Sequence, residues 1–242
     1  MRKAQQVVIG FIGSKGAGKD TVADIAIKKF KARKKVSFAR PFKDLIMKNI
    51  IGFTDYQIDD PKGKDEVLKS NLILNHRNVR KIVHVVANEY CKIKKDLRAL
   101  NPYSIPVSQW ENKKFVMGEH TYRDVMRYVS TEIIRTICPT WHVDMALSKV
   151  ANEGTTFICD LRFANEFEMT KKKFDKNFYL VYIKNDKAEK KNKDSHISEQ
   201  EYKKLIPLSF YTVNSVYGDL DGLEGELKGL MKKIKEDRKI KS

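Results

Sequence analysis

The 242-residue sequence lacks any uninterrupted apolar run near the roughly 20 residues that a membrane-spanning helix needs. The charged start, Met1 to Lys3, leads directly into the first apolar strand, which is not the pattern of a signal sequence. The three cysteines, Cys91, Cys138 and Cys159, are widely spaced and form no metal-ligand pattern, which excludes a disulfide scaffold. We therefore expect a cytoplasmic protein with reduced thiols and no membrane partner.

Signatures of specific nucleic-acid binding are also missing. The formal net charge is +17, with 48 Lys and Arg against 31 Asp and Glu, but most of the positive charge is lysine scattered in separate runs. Basic residues are not interleaved with aromatic ones, and no zinc-finger or RNP-like pattern occurs. We expect no specific nucleic acid partner, only weak and salt-sensitive attraction to polyanions.

The most informative motif is an apolar strand, residues 7–12, that runs into a glycine-rich loop. The loop residues are Gly13, Ser14, Lys15, Gly16, Ala17, Gly18 and Lys19. Their spacing is that of a phosphate-binding loop, in which backbone N–H groups bind phosphate oxygens at the start of a helix and Lys19 adds a positive charge. Asp20 stands where a Ser or Thr normally meets magnesium, and Thr21 follows one place late. The motif predicts a bound nucleoside triphosphate; the alternative is an ordinary strand-to-helix turn.

Beyond this loop the chain alternates strands and helices. Strands are predicted at residues 35–39, 156–159, 178–183 and 210–213, and helices from 41, over 79–100, over 122–134, from 140, over 165–174 and over 221–239. This alternation predicts an α/β fold with a parallel sheet between two layers of helices. We expect a single domain over residues 1–242, with a helical acceptor-side insertion over 52–120.

Asp160 ends the predicted strand 156–159, at the edge where open α/β sheets bind ligands. The pattern predicts a carboxylate on the magnesium side, with a helix cap as the alternative. Arg162 follows two residues later and is predicted to bind phosphate, or else to form a surface ion pair with Glu166.

Three arginines lie at steps of four and eight on the predicted helix after Thr121: Arg123, Arg127 and Arg135. Because the chain uses Lys where only solubility matters, the arginines favour phosphate binding over a solvated helix face. Trp141, with Asp144 close by, is predicted either to stack on a base or to anchor its helix in the core.

A run of lysines from 187 to 193 leads into residues 194–199, which have the pattern of a helix start. We predict a mobile basic lid over residues 184–200. The alternative is that Ser198 only caps a helix and that His196 only forms a local hydrogen bond.

Together these residues resemble the bacteriophage deoxynucleoside monophosphate kinases, P-loop enzymes of the nucleoside monophosphate kinase class. The resemblance spans nearly the whole chain and rests on residues 18–21, 39–43, 122–135 with 141, 160–162, 194–199 and 214. The chain departs from the family pattern at Arg127 and Ser130, where Gln and Gly are common.

The resemblance implies a three-layer P-loop fold and transfer of the γ-phosphate of ATP to a deoxynucleoside 5′-monophosphate, with Mg²⁺. It implies catalytic roles for Lys19, Asp20, Arg123, Asp160 and Arg162. It implies ATP binding by residues 13–21 and Asn214, and magnesium binding by Asp20, Thr21 and Asp160. It implies acceptor binding by Lys43, Arg123, Arg127, Thr131, Trp141, Asp144, Arg162 and Glu166.

The expected partners are deoxynucleoside monophosphates. The resemblance is also compatible with a homodimer. If the chain is encoded by a phage, it is expected to act in the host cytoplasm. Two other functions also fit the motifs. A dephospho-coenzyme A or phosphomevalonate kinase type shares the loop, and a nucleic-acid-stimulated P-loop ATPase would explain the positive charge.

Overall fold

Two separate apolar cores divide the chain into two units. Residues 1–38 and 149–242 form one unit, called the sheet unit here, and residues 39–148 form the other, called the helical unit. The computed structural model describes residues 5–30, 32–191 and 197–240, with 197–199 described by their backbone alone.

The bounds of the elements are as follows. The strands are β1 (Val7–Ile12), β2 (Lys34–Val36), β3 (Leu72–Leu74), β4 (Lys113–Phe115), β5 (Thr155–Ile158), β6 (Phe178–Lys184) and β7 (Tyr211–Asn214). The helices are α1 (Lys19–Phe30), α2 (Arg40–Phe42), α3 (Asp55–Asp59), α4 (Pro61–Asp65), α5 (His76–Lys94), α6 (Tyr122–Tyr128), α7 (Arg135–Ile137), α8 (Trp141–Leu147), α9 (Ala164–Phe174), α10 (Asp186–Lys191), α11 (Ile197–Leu205) and α12 (Leu220–Ile240). Two π-helical segments, Lys43–Ile51 and Val129–Ile134, continue α2 and α6.

The sheet unit is built on a five-stranded sheet in the order β2-β5-β1-β6-β7. Every pairing in it is parallel, and Ile9 at its centre lies opposite Phe157 of β5 and Tyr179 of β6. β1 is buried along its whole length, as expected for the central strand of a parallel sheet. The α/β fold predicted from the sequence is confirmed.

Helices cover both faces of this sheet. Val22 of α1 and Leu227 of α12 share a core cluster with Phe11 of β1 on one face. Side chains alternate along a strand, so Phe178, whose register partner is Val8, belongs to the opposite face, where its ring contacts Phe167 of α9. The sheet unit therefore has three layers.

The helical unit packs around α5. The Asn75 side chain caps this helix by accepting a hydrogen bond from the N–H of Asn78. The apolar face of the helix is buried at residues 79, 82, 83, 86, 87 and 91. β3 and β4 form a separate antiparallel pair. No helix in the described parts of the chain is long and apolar enough to cross a membrane.

Several predicted boundaries were wrong. The helix predicted over 79–100 is α5, which begins earlier because Asn75 caps it and ends earlier because Lys95 takes a left-handed conformation with φ 55°. The strand predicted over 35–39 is β2, and the β3–β4 pair was not predicted within the segment read as helical. Residues 52–120 lie inside the helical unit. The single domain and the acceptor-side insertion remain predictions.

Candidate active site

The glycine-rich loop connects β1 to α1 at the carboxyl edge of the sheet. Gly13 has φ +148°, and a Cβ atom there would lie 2.5 Å from the carbonyl oxygen of Ile183 on β6. Only glycine therefore fits this close approach. Ser14 is 1% exposed, and its Oγ has no hydrogen-bond partner within the described residues. A buried, unsatisfied hydroxyl is costly, and a phosphate oxygen is a partner that would satisfy it.

Lys19 is the first residue of α1 and is 7% exposed. Its Nζ donates to the carbonyl oxygens of Gly13, at 2.7 Å, and Ser14, at 2.8 Å. Because carbonyl oxygens solvate an ammonium group only partly, the loop holds a buried positive charge with its own backbone. The predicted phosphate-binding charge thus lies at the loop.

Asp160 follows β5 at the same edge. Its carboxylate accepts hydrogen bonds from the Ser37 hydroxyl, at 2.6 Å, and from the N–H of Phe38, at 2.8 Å. Asp20 and Thr21, in the first turn of α1, are exposed. The three oxygen-bearing side chains predicted for magnesium therefore all belong to the sheet unit.

Asp20 and Asp160 both affect one buried group, the Cys159 thiol. Burial is the main cause that raises the pKa of this thiol, and the negative charges of the two carboxylates raise it further. Both acids therefore lie within electrostatic reach of Cys159. Lys35 Nζ lies 2.7 Å from Asp24 and 3.5 Å from Asp20. Burial lowers the pKa of Lys35, but the bond to Asp24 and the acidic charges outweigh it and raise the pKa. No cluster of three or more His, Cys, Asp or Glu suited to a metal ion occurs among the described residues.

Glu166 is buried, at 2% exposure, in the first turn of α9. Its Oε2 accepts from the backbone N–H groups of Arg162, at 2.8 Å, and Phe163, at 3.1 Å. This contact fixes the turn that carries Arg162, in the manner of a helix cap. Its observed role is therefore local positioning.

A cavity of about 480 Å³ lies beside the glycine-rich loop. It is lined by Lys15, Gly16, Asn185, Lys187, Ala188, Lys191 and Tyr217. Tyr217 is 88% exposed, in the turn after β7. Tyr217 was not predicted from the sequence as a site residue. The available signal was an aromatic residue just beyond a strand at the ligand-binding edge of a parallel sheet.

Asn214, predicted to contact ATP, ends β7, and its Nδ2 donates to Glu226 of α12 at 2.9 Å. It is exposed, and the cavity is lined by Tyr217 instead.

In the predicted lid, α10 is fixed at its start by Asn185, whose Oδ1 accepts a hydrogen bond from the Ala188 N–H. Residues 192–196 of the lid lie outside the described residues.

The remaining predicted residues lie in the helical unit. Lys43 Nζ bonds to Asp59 at 2.9 Å, and Arg40 contacts both Asp59 and Asp44. Burial raises the pKa of Asp59, but the bonds from Lys43 and Arg40 outweigh it and lower the pKa. Lys43 therefore belongs to a network of two cations and two carboxylates.

Arg123, Arg127 and Arg135 are half-buried, whereas a fully solvated helix face would leave them exposed. Arg123 Nε forms an ion pair with Asp65 of α4. The π-helical segment Val129–Ile134 separates Arg127 from Arg135 and holds Thr131, which is half-buried. Because a π-helix has i→i+5 bonds and a wider turn, the step of eight residues from Arg127 to Arg135 does not keep the angular spacing that it has in an α-helix.

Trp141 is 0% exposed and its ring meets the His142 ring edge-on, with centroids 5.2 Å apart. Its indole N–H has no hydrogen-bond partner in the described structure. This burial agrees with the alternative in which Trp141 anchors its helix in the core. Asp144 Oδ1 pairs with Lys94 Nζ at 2.9 Å, and this bond raises the pKa of Lys94.

Comparison with known protein families gives one finding. The family model described as deoxynucleotide monophosphate kinase matches residues 7–205, most of the chain. The match runs through both units and contains every predicted site residue except Asn214. No curated protein matches the chain.

Proposed function

We propose that this chain, which belongs to the deoxynucleotide monophosphate kinase family, transfers the γ-phosphate of ATP to a deoxynucleoside 5′-monophosphate and releases ADP and the diphosphate. The observation that carries the proposal is the loop geometry. The buried Lys19 ammonium and the unsatisfied Ser14 hydroxyl lie where a parallel sheet presents a loop and a helix start to an anion.

In this proposal the donor phosphates bind to the N–H groups of residues 13–19. Lys19 leaves the carbonyl oxygens of Gly13 and Ser14 and takes phosphate oxygens in their place. An oxygen of the acceptor phosphate forms a bond to the γ-phosphorus while the bond from that phosphorus to the ADP oxygen breaks. Lys19 neutralises charge that spreads over the transferred group, which is where protein groups contribute most to this reaction.

Asp20, Thr21 and Asp160 fit Mg²⁺ because all three supply the hard oxygen atoms that this ion prefers. When bound, Mg²⁺ neutralises charge on the donor phosphates. Asp160 is held in place by the Ser37 hydroxyl and the Phe38 N–H, so its carboxylate has a fixed position before any ligand binds. Magnesium in such sites keeps several water and phosphate ligands, so few protein ligands are needed.

The cavity beside the loop supplies a place for the donor base. It shares Lys15 and Gly16 with the phosphate-binding loop, and the exposed ring of Tyr217 stands at its edge. An aromatic face stacks favourably on a purine. Lys187 and Lys191 add positive charge on the side formed by α10. We assign the donor base to this cavity.

The acceptor roles rest on the family resemblance. Lys43 and Arg123 bind the acceptor phosphate in this proposal and exchange their partners Asp59 and Asp65 for it. Arg162, on the turn fixed by Glu166, contacts the transferred group. The cytoplasmic location and the lid over 184–200 also remain proposals.

The test is phosphorylation of separate deoxynucleoside and ribonucleoside monophosphates with ATP, followed by identification of the products. A deoxynucleoside diphosphate as product supports the proposal. Turnover of dephospho-coenzyme A or phosphomevalonate alone would replace it with the other small-molecule kinase. ATP hydrolysis that rises with polynucleotide and needs no monophosphate would replace it with the stimulated ATPase.

A further inference from the structure

A groove of about 490 Å³ lies in the helical unit, formed by α5 and the π-helical segment before it. It is lined by Ile50, His76, Arg77, Arg80, Lys81, His84 and Val85. Residues 77, 80, 81 and 84 are spaced i, i+3, i+4 and i+7, so they share one face of the helix. Three permanent cations and two histidines therefore border one groove, whose accessible lining is apolar.

The cations of this groove are not matched by acids. Neither Arg77 nor Lys81 forms an ion pair within the part of the chain that the structure describes. Arg80 donates to two neutral groups, the carbonyl oxygens of Pro102 and Ile105, at 3.3 and 3.4 Å.

Several other cations of the helical unit are paired. Arg123 pairs with Asp65, and Lys94 pairs with Asp144. Glu111 is the one carboxylate seen in contact with a groove residue in the described structure, and it bonds to His76 Nδ1 at 2.7 Å. Among the described residues, the permanent positive charge at the edge of the groove is thus not balanced by ion pairs.

The apolar side chains of the groove indicate what kind of ligand would fit it. Ile50 and Val85 are half-buried and line it beside the cations. The His84 ring packs edge-on against Tyr103, with centroids 5.1 Å apart, so its plane is held in one orientation. A ligand that fits this surface combines a strongly anionic end with a flat or apolar end, and cavities of this size hold small molecules.

We propose that this groove is a second nucleotide site, which binds a nucleoside polyphosphate independently of the glycine-rich loop. Arg77 and Arg80 take the phosphate chain, because a guanidinium fork matches phosphate oxygens, and Lys81 adds a point charge. The base lies on Ile50 and Val85 beside His84. The site belongs to the helical unit alone and does not depend on the proposed catalytic function.

The test is calorimetric titration of the full chain with the non-hydrolysable β,γ-imido analogue of ATP. We expect two binding events in the wild-type protein. In Lys19→Met the event at the loop is lost and the other persists. In the double variant Arg77→Gln, Lys81→Gln the persisting event weakens by on the order of tenfold or more, because charge-assisted contacts to phosphate are lost.

The matched control is Lys92→Gln, Arg98→Gln, which removes one lysine and one arginine from exposed positions at the other end of α5 and just beyond it. Its two events should be unchanged. Loss of all binding in Lys19→Met would overturn the second site and leave the kinase proposal standing. Equal weakening in the control would also overturn it, since the effect would then be net charge.

Two further titrations identify the ligand. Inorganic tripolyphosphate should bind the groove more weakly than the nucleotide analogue, because it makes no contact with Ile50 and Val85. Equal affinity would overturn the assignment of a nucleoside. Binding of a single-stranded oligonucleotide through Arg77 and Lys81, in the absence of a second event with the analogue, would overturn it in favour of a nucleic acid surface.

Discussion

The side-chain ammonium group of Lys19 lies 2.7 Å from the carbonyl oxygen of Gly13, six residues earlier in the chain. Gly13 is also the residue whose missing Cβ allows the loop to approach Ile183 of β6. The close packing that requires glycine at position 13 therefore also fixes the position of the carbonyl group that accepts from Lys19. The loop keeps its charge oriented before a phosphate arrives, and such preorganisation favours transfer.

Lys19→Met should lower turnover by on the order of 100-fold or more and leave the fold intact, because the loss of one preorganised charge is costly in phosphoryl transfer. The measurement is kcat with saturating ATP and deoxynucleotide, with thermal unfolding as the check on the fold. Lys28→Met is the control, since Lys28 is an exposed lysine in the last turn of α1, away from the loop. Near-normal turnover in a well-folded Lys19→Met protein would remove the assignment of the loop to ATP.

Asp160→Asn should lower turnover and raise the magnesium concentration needed for half-maximal activity. The amide keeps an oxygen that can accept from Phe38 but loses the charge that attracts the cation. The measurement is a magnesium titration of activity at constant ATP.

Ser37→Ala is the control for this titration, because it removes one hydrogen bond to Asp160 and leaves the carboxylate charged. Its magnesium dependence should stay near that of the wild-type protein. An unchanged titration at full activity in Asp160→Asn would mean that this carboxylate only joins the strand ends through Ser37 and Phe38.

Local motifs were enough to predict the loop and the sheet. The apolar run of β1, the glycines and Lys19 are close in sequence, so their spacing already contains the geometry. The same holds for α8, which the sequence placed near Thr140 and which begins at Trp141. The parallel sheet followed from the alternation of strands and helices.

Features that depend on distant residues could not be predicted in this way. The π-helical segment Val129–Ile134 has an ordinary apolar pattern, and its wider turn shows only in the backbone bonds. Tyr217 and Lys15 line one cavity although about 200 residues separate them in the chain. The pairing of Arg123 with Asp65 is likewise non-local, so the sequence showed an arginine but not its partner.

Arg123→Lys should raise the apparent KM for the deoxynucleotide and leave ATP binding nearly unchanged, because the charge stays but the planar fork is lost. Arg123→Ala should cost more, about 2 kcal/mol if the contact with the acceptor phosphate is desolvated. The measurements are steady-state kinetics with each substrate varied in turn.

Asp65→Asn separates this role from a structural one. It removes the observed ion pair of Arg123 but leaves the guanidinium in place. If Arg123 binds the acceptor, the KM should change little in Asp65→Asn or fall. If Asp65→Asn and Arg123→Ala raise the KM equally and lower the unfolding temperature equally, the pair only stabilises the helical unit and our placement of the acceptor is wrong.

The basic segment from 184 to 191 should become more protected when donor and acceptor phosphates are bound together. Its lysines have little apolar surface to bury, so bound anions are needed to offset the entropy of further ordering. The measurement is hydrogen exchange and limited proteolysis with and without a two-headed adenosine–thymidine polyphosphate.

The contact between the Tyr182 hydroxyl and Glu189 provides the control for this segment, because it links β6 to α10. Tyr182→Phe should raise exchange in α10 of the unliganded protein and leave β1 protected. Equal cleavage and exchange with and without the two-headed ligand would rule out a lid over these residues.

Tyr217→Ala should raise the KM for ATP by roughly two- to tenfold, since an aromatic stacking contact contributes about 0.5 to 1.5 kcal/mol. Tyr217→Phe keeps the ring and should restore most of the affinity. Val216→Ala is the matched control, because Val216 is also exposed in the same turn but does not line the cavity. The KM for the deoxynucleotide should stay constant in all three variants. If Tyr217→Ala and Val216→Ala have equal effects, the turn acts through its backbone, and the donor base binds elsewhere.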